Sequence, residues 1–328
     1  MKIAILGFGS VGRGIANIVN SKNTGIIITA VADSKSGLIE NNGIDLDAVL
    51  ENKKKTGLCG KENITPDEII ENADYDVLVE VTPTDATTGE PALGYIKKAL
   101  GAGKHVVTSN KGPIALEYKA LKELADKNGC LLKYEATVCG AIPLIHSLQY
   151  GLAGNEIKKI YGVFNGTCNY ILTRMADEGL TYKQALLEAR ELGYAEADPT
   201  YDVKGIDAAI KLVILANTIL GYDKTLQDVE TEGIDRLTSE ALLLAAEDDL
   251  TIRLIGEIDV GKKILRVSPR VLPKNHTLVV QDTLNAVTAE TDLAGDVTFI
   301  GKGAGSIETA SAIISDLLFI RECNGGRS

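Results

Sequence analysis

Basic residues are in short supply. Lysine and arginine number 34 against 45 aspartates and glutamates, giving a net charge of −11. An acidic surface without a compensating basic patch excludes nucleic acid and anionic membrane as partners. The one dense basic run, Lys53-Lys54-Lys55, reads as a solvated loop edge. Long apolar runs are missing too. A membrane span needs about 20 such residues, and the longest stretch, 208–220, is interrupted by Lys211 and Asn217. The apolar start, 1–6, runs directly into a glycine-rich turn and is too short for a signal-peptide core. Five cysteines (Cys59, Cys130, Cys139, Cys168 and Cys323) form no Cys-x-x-Cys pair. That pattern speaks against a zinc site or a disulfide framework and for a reduced, cytoplasmic setting. Three histidines, none near a cluster of other ligand types, leave transition-metal catalysis without a ligand set.

Glycine, by contrast, is plentiful at 33 of 328 residues, so some backbone needs positive φ or close approach to a ligand. The length predicts about two domains. In the first third, short β-branched strands are expected at 3–6, 26–31, 77–81 and 105–108. Between them fall helices over 10–19, from the capping box Thr65-Pro66-Asp67-Glu68, and over 115–127, the last closed by Gly129. Such alternation builds an α/β doubly wound parallel sheet. After Glu135 the pattern changes. A strand at 157–164 and a helix opened by Thr181-Tyr182-Lys183-Gln184 precede a long apolar helix at 206–220. Strands at 251–258, 263–271, 277–280, 286–291 and 297–300 follow, then a final helix at 307–320. This second region reads as an α+β domain on an open, mostly antiparallel or mixed sheet.

Gly7-Phe8-Gly9-Ser10-Val11-Gly12 is a weak motif in isolation. Here it follows a predicted strand, opens a predicted helix and is followed by Asp33 at the end of the next strand, the context of a Rossmann-type dinucleotide site. Pyrophosphate would rest on the helix N-terminus, where free N–H groups and the dipole favour anions. Asp33 suits ribose hydroxyls and thus NAD, yet Ser34, Lys35 and Lys53 to Lys55 could accept a 2′-phosphate, so NAD and NADP both stay open. Ligands in open α/β sheets bind beyond the carboxyl ends of strands. The loops Thr82-Pro83 and Ser109-Asn110-Lys111 therefore face the nicotinamide end.

The densest chemistry lies in Gly193-Tyr194-Ala195-Glu196-Ala197-Asp198-Pro199, continuing through Asp202, Gly205, Asp207 and Lys211. Asp207 and Lys211 are four apart and share a helix face. Such pairs are usually surface features, but the residues around them are apolar on every side, which marks a buried helix. A charged pair there is costly unless it works. With Glu196, Asp198 and Asp202 close by in sequence, the acids can hold an ammonium while lysines handle carboxylate or hydroxyl.

These residues carry a family resemblance. Gly193 to Lys211 is similar to the signature of the homoserine dehydrogenase family, in its short form without a C-terminal regulatory domain. Asn165-Gly166-Thr167-Cys168-Asn169-Tyr170-Ile171-Leu172 resembles a second stretch of that family, with Cys168 where it has threonine. The sequences around Asn110-Lys111, Glu135 to Val138 and Gly303-Ala304-Gly305 match as well. The resemblance implies reversible conversion of L-homoserine to L-aspartate 4-semialdehyde with NAD or NADP. It makes Glu196 and Asp207 the ammonium ligands, with Asp202 nearby, and Lys211 the acid/base, with Lys111 a second proton-handling lysine. Asn165, Gly166 and Thr167 line the pocket floor, Gly193, Gly303 and Gly305 border the cofactor, and the stretch Gly301 to Gly305 forms a lid over the nicotinamide. It also implies a sodium ion held by Glu135 and carbonyls near Val138, Gly140 and Ile142. The expected domains are 1–134 with 305–328 for the nucleotide and 135–304 for substrate and homodimer formation. The competing readings are a related amino-acid dehydrogenase such as aspartate dehydrogenase, for which no catalytic histidine stands out, and a cofactor-sensing module without catalysis, in which Glu196, Asp207 and Lys211 need not all survive.

Overall fold

A computed structural model describes residues 1–325. Residues 326–328, the end of the segment expected to rejoin the first domain, lie outside the described residues. The chain divides into two compact units, one formed by Met1–Gly140 with the segment from Gly305 on, the other by Ala141–Ala304.

The first unit begins β1 (Lys2–Leu6), α1 (Ser10–Ser21), β2 (Ile27–Ala32), β3 (Gly37–Ile39), α2 (Leu46–Thr56) and α3 (Pro66–Asn72). It continues β4 (Val77–Glu80), α4 (Ala92–Gly101), β5 (His105–Thr108), α5 (Lys111–Lys127) and β6 (Leu132–Lys133). The sheet order is β3-β2-β1-β4-β5-β6. All neighbours are parallel except β3, which closes the β2 edge as an antiparallel strand. Strands buried on both faces need unbroken apolar runs, and Ile3, Ile5, Val77, Val79 and Val107 supply them in one core with Phe8, Ile15 and Leu317. Thr65 starts α3 through a complete capping box with proline in the first turn. The basic run is a correction: Lys53 to Lys55 form the last turn of α2, not a loop. Cations there complement the helix dipole, and the helix stops at Gly57 with φ +81.

The second unit contains α6 (Leu144–His146), β7 (Ile157–Val163), α7 (Gly166–Glu178), α8 (Tyr182–Glu191), α9 (Thr200–Val203), α10 (Ile206–Ile219), β8 (Glu230–Thr231) and α11 (Ser239–Glu247). Strands β9 (Leu250–Asp259), β10 (Ile264–Pro273), β11 (Leu284–Thr291) and β12 (Asp296–Lys302) complete it. They form a mixed sheet ordered β12-β11-β7-β9-β10-β8, antiparallel throughout except for β8 beside β10. Gly256 of β9 admits Phe164 and Leu212 against the sheet, which seats α10. Residues 277–280 are not the expected strand. They lie in the turns between β10 and β11, where Leu278 and Val280 plug a small core with Val163, Ile255 and Ala286. The apolar run there reflects burial rather than pairing.

The chain then returns to the first unit as α12 (Ser306–Cys323). It crosses α1 at Gly14, where a Cβ would lie 2.9 Å from the Ser306 carbonyl oxygen.

Candidate active site

The first unit presents a nucleotide cradle. Gly7 has φ +103, and a Cβ on it would sit 2.3 Å from the Val81 carbonyl oxygen; a Cβ on Gly12 would sit 2.3 Å from the Gly7 carbonyl oxygen. Both glycines are therefore required by the turn itself. Gly9 is different, because a Cβ there would meet nothing within 4 Å. That open space lies over the N-terminus of α1, which has no side-chain cap and no acid in its first turn. The cradle fits a pyrophosphate. Phe8 is buried, and its N–H and that of Gly7 donate to the Ala32 carbonyl at 3.1 and 2.8 Å, tying the turn to β2. Val11 is half-buried and Ser10 exposed, and the Ser10 carbonyl accepts from Ser306 Oγ at 2.6 Å.

Asp33 follows β2. Its Oδ1 accepts the Lys35 and Ser36 N–H groups at 2.8 and 2.9 Å, and its Oδ2 accepts from Lys53 Nζ at 2.5 Å. Burial would raise the Asp33 carboxyl, but Lys53 and these donors outweigh it and hold the group below its ordinary value. Ser34 and Lys35 are exposed beside it.

On the other side of β1, the ends of β4 and β5 meet through Glu80. Its carboxyl accepts from the Thr82 N–H at 2.8 Å, from the Thr82 hydroxyl, and from Thr108 Oγ1 at 2.9 Å. Ser109 N–H donates to the Glu80 carbonyl. Asn110 caps α5 and donates to the Thr82 and Pro83 carbonyls at 3.3 Å each. Lys111, half-buried, is the first residue of α5. Glu80 was not among the expected site residues; the signal available was a lone acid ending the apolar run Val77-Leu78-Val79.

In the second unit a polar cluster is built from three helices. Asn165 caps α7, its Oδ1 accepting the Cys168 N–H at 2.8 Å. Its Nδ2 donates to Asp202 Oδ1 at 2.6 Å and to Asp207 Oδ2 at 2.9 Å. Lys211 Nζ donates to the same Asp207 oxygen at 2.7 Å and to the Phe164 carbonyl at 2.6 Å. The Lys211 and Asp207 side chains are 8% and 9% exposed, so the ion pair is interior. Gly166 is pressed on the Thr283 carbonyl, where a Cβ would come within 2.6 Å. Thr167 Oγ1 donates to the Tyr194 carbonyl at 2.8 Å, joining α7 to the loop after α8. Cys168 is fully buried with its thiol on the Asp202 carbonyl at 3.1 Å. Burial and the neighbouring acids push that thiol well up, so the residue packs rather than reacts.

The other expected residues sit mostly in loops and turns. Glu196 is exposed and makes no hydrogen bond to the Asn165 cluster, while Asp198 binds Thr200 locally. Gly193, with φ +76, ends the turn after α8. Gly301 and Lys302 belong to β12, so the expected glycine lid shrinks to 303–305. Gly303 is packed on the Asn285 side chain, and Gly305 has φ +131 at the start of α12. Glu135 is buried in a short 3-10 turn, its N–H donating to Asp316 Oδ2 at 2.9 Å. Cys139 and Gly140 have φ +58 and +50 in succession, which turns the backbone sharply after Val138. Ile142 belongs to the second unit and its carbonyl accepts from the Leu144 N–H.

Comparison with known proteins agrees with both halves. A family model for homoserine dehydrogenase matches residues 143–318, and one for the homoserine dehydrogenase NAD-binding domain matches 7–135. The homoserine dehydrogenase of Methanocaldococcus jannaschii is 48% identical over 98% of each chain. An NAD(+)-dependent homoserine dehydrogenase of Pseudomonas canavaninivorans is 37% identical over 98% of this chain and 96% of its own. A solved hyperthermophilic archaeal homoserine dehydrogenase in complex with NADPH superimposes with a TM-score of 0.85 at 32% identity, covering 98% of each chain. With a Rossmann-type unit and an acid–lysine unit matched along nearly its whole length, this chain belongs to the homoserine dehydrogenase family.

Proposed function

We propose that this protein interconverts L-homoserine and L-aspartate 4-semialdehyde, with the buried Lys211–Asp207 pair as its acid/base centre. That pair carries the reading, because an interior charge pair is retained for a purpose more often than for stability. The nicotinamide, when bound, supplies hydride transfer. The protein's own residues do the rest. Asp207 and Asp202, fixed by Asn165, attract the substrate ammonium, with Glu196 contributing from its loop. Gly166 and Thr167 form the floor. Lys211 takes the hydroxyl proton in oxidation and returns it to the aldehyde oxygen in reduction, with Lys111 a second lysine for proton handling or orientation.

The nucleotide role falls to the first unit and the substrate role to the second. Lys53 neutralises Asp33, so a 2′-phosphate meets no net repulsion and both dinucleotides are accepted. Sodium is assigned to Glu135 with the carbonyls of Val138 and Gly140, oxygen ligands that suit a hard monovalent ion. A homodimer is assigned to the open sheet of the second unit, where Tyr161, Thr298 and Ile300 lie half-buried or exposed on one face. Cysteines outside any disulfide among the described residues suit a cytoplasmic setting. No helix among the described residues is long and apolar enough to cross a membrane.

Initial rates at 340 nm with L-homoserine, run with NAD and NADP in parallel, test the reading. A rate with homoserine and none with aspartate or homocysteine supports it; cofactor binding without any rate moves the protein to the sensing class. Lys53→Met should shift the kcat/KM ratio toward NAD by about tenfold, the order expected for one partly buried positive charge against a phosphate. An unchanged ratio removes Lys53 from cofactor choice.

A further inference from the structure

Glu80 is fully buried, and no step above uses it. Three groups surround its carboxyl as donors: the Thr82 N–H and hydroxyl on Oε1 and the Thr108 hydroxyl on Oε2. Thr108 Oγ1 already accepts the Asn110 N–H at 2.9 Å, which directs its own proton at Glu80. A carboxyl so enclosed by donors is arranged for its charged form. Burial opposes that form and pushes the carboxyl up, so the charge gains from any cation that comes near.

The fold indicates which cation that is. Sheet order places β2 on one side of β1 and β4 with β5 on the other. A dinucleotide with its pyrophosphate on α1 and its ribose at Asp33 therefore extends its other end toward β4 and β5. The oxidised nicotinamide ring is cationic and the reduced ring is neutral. We propose that Glu80 is a positioning residue of the nicotinamide end whose buried carboxylate makes the protein favour the oxidised over the reduced dinucleotide. It locks the loops after β4 and β5 to each other, and it supplies a fixed negative charge that water does not screen. The proposal rests on the dinucleotide reading above and goes beyond it in assigning a redox-state preference.

The test is binding, not turnover. Kd for reduced and oxidised dinucleotide is measured on the full chain, by fluorescence for the reduced form and by competition for the oxidised. Glu80→Gln, nearly isosteric, should raise the oxidised-to-reduced Kd ratio about fivefold or more. Glu80→Asp keeps the charge; it should weaken both forms yet hold the ratio within about twofold of wild type. Thr108→Val strips one donor from the carboxylate and should move the ratio the same way as Glu80→Gln by a smaller factor. It serves as the deciding variant if the glutamine substitution fails to fold. A ratio that stays at the wild-type value in Glu80→Gln and Thr108→Val, whatever happens to the separate affinities, overturns the proposal. Failure of the wild type to bind either form would instead refute the dinucleotide reading itself.

Discussion

Lys211 and Asp207 are costly to bury, and that cost can be separated from their chemistry. Removing one member of an interior ion pair leaves an uncompensated charge and typically costs about 3–5 kcal/mol. Lys211→Met should therefore lower Tm and reduce kcat by about a thousandfold while cofactor affinity stays near wild type. Adding Asp207→Asn to Lys211→Met removes the stranded charge. The double variant should recover most of the lost Tm and none of the rate, as scanning calorimetry and steady-state kinetics would show. Recovery of rate along with stability would make the lysine structural. These two residues were legible in the sequence because a charged pair four apart inside an apolar helix breaks the pattern of its surroundings. Glu80 was not, since a single acid ending a strand has no spacing partner to advertise it. Nor was the lack of a hydrogen bond between Glu196 and the Asn165 cluster, because loop residues carry no periodicity that fixes which way they face.

At the scale of elements, local chemistry was readable and weakly local pairing was not. The capping boxes at Thr65 and Thr181 appear in the structure as the sequence has them, each side chain meeting the third backbone N–H. Short strands such as β3 and β6 hold too few residues to show a period, and 277–280 imitated a strand because core plugs and strands share a composition. The glycine turn before α1 separates two kinds of requirement. Gly9→Ala places a methyl in open space, so Tm should hold while dinucleotide affinity falls about tenfold. Gly12→Ala drives a methyl into the Gly7 carbonyl, so Tm should fall by at least about 5 °C. Thermal melts with and without cofactor distinguish the two. Equal loss of Tm in both variants would mean that Gly9 serves the turn rather than the ligand.

For the whole molecule, the broad plan followed from texture alone: β-branched runs alternating with helices, then strands crowded together. The reason is that burial pattern is written along the chain, whereas pairing partners distant in sequence are not. Assembly belongs to this scale. Light scattering on the purified protein should give twice the chain mass, and Tyr161→Glu with Ile300→Glu should return it to the mass of one chain. A monomeric wild type would remove the open sheet face as an interface. The return of α12 onto α1 has a consequence for biosynthesis. The nucleotide unit is started first, yet the helix that completes its core follows Ala141–Ala304. At about 5 to 20 residues per second, that stretch takes on the order of ten to thirty seconds to translate. For that interval the apolar side of α1 waits without its cover, and only at its end does the substrate unit have all its strands in hand. Of the two units, the one translated first is the one completed second, and a nascent chain halted before Gly305 would expose the surface most open to capture by a chaperone.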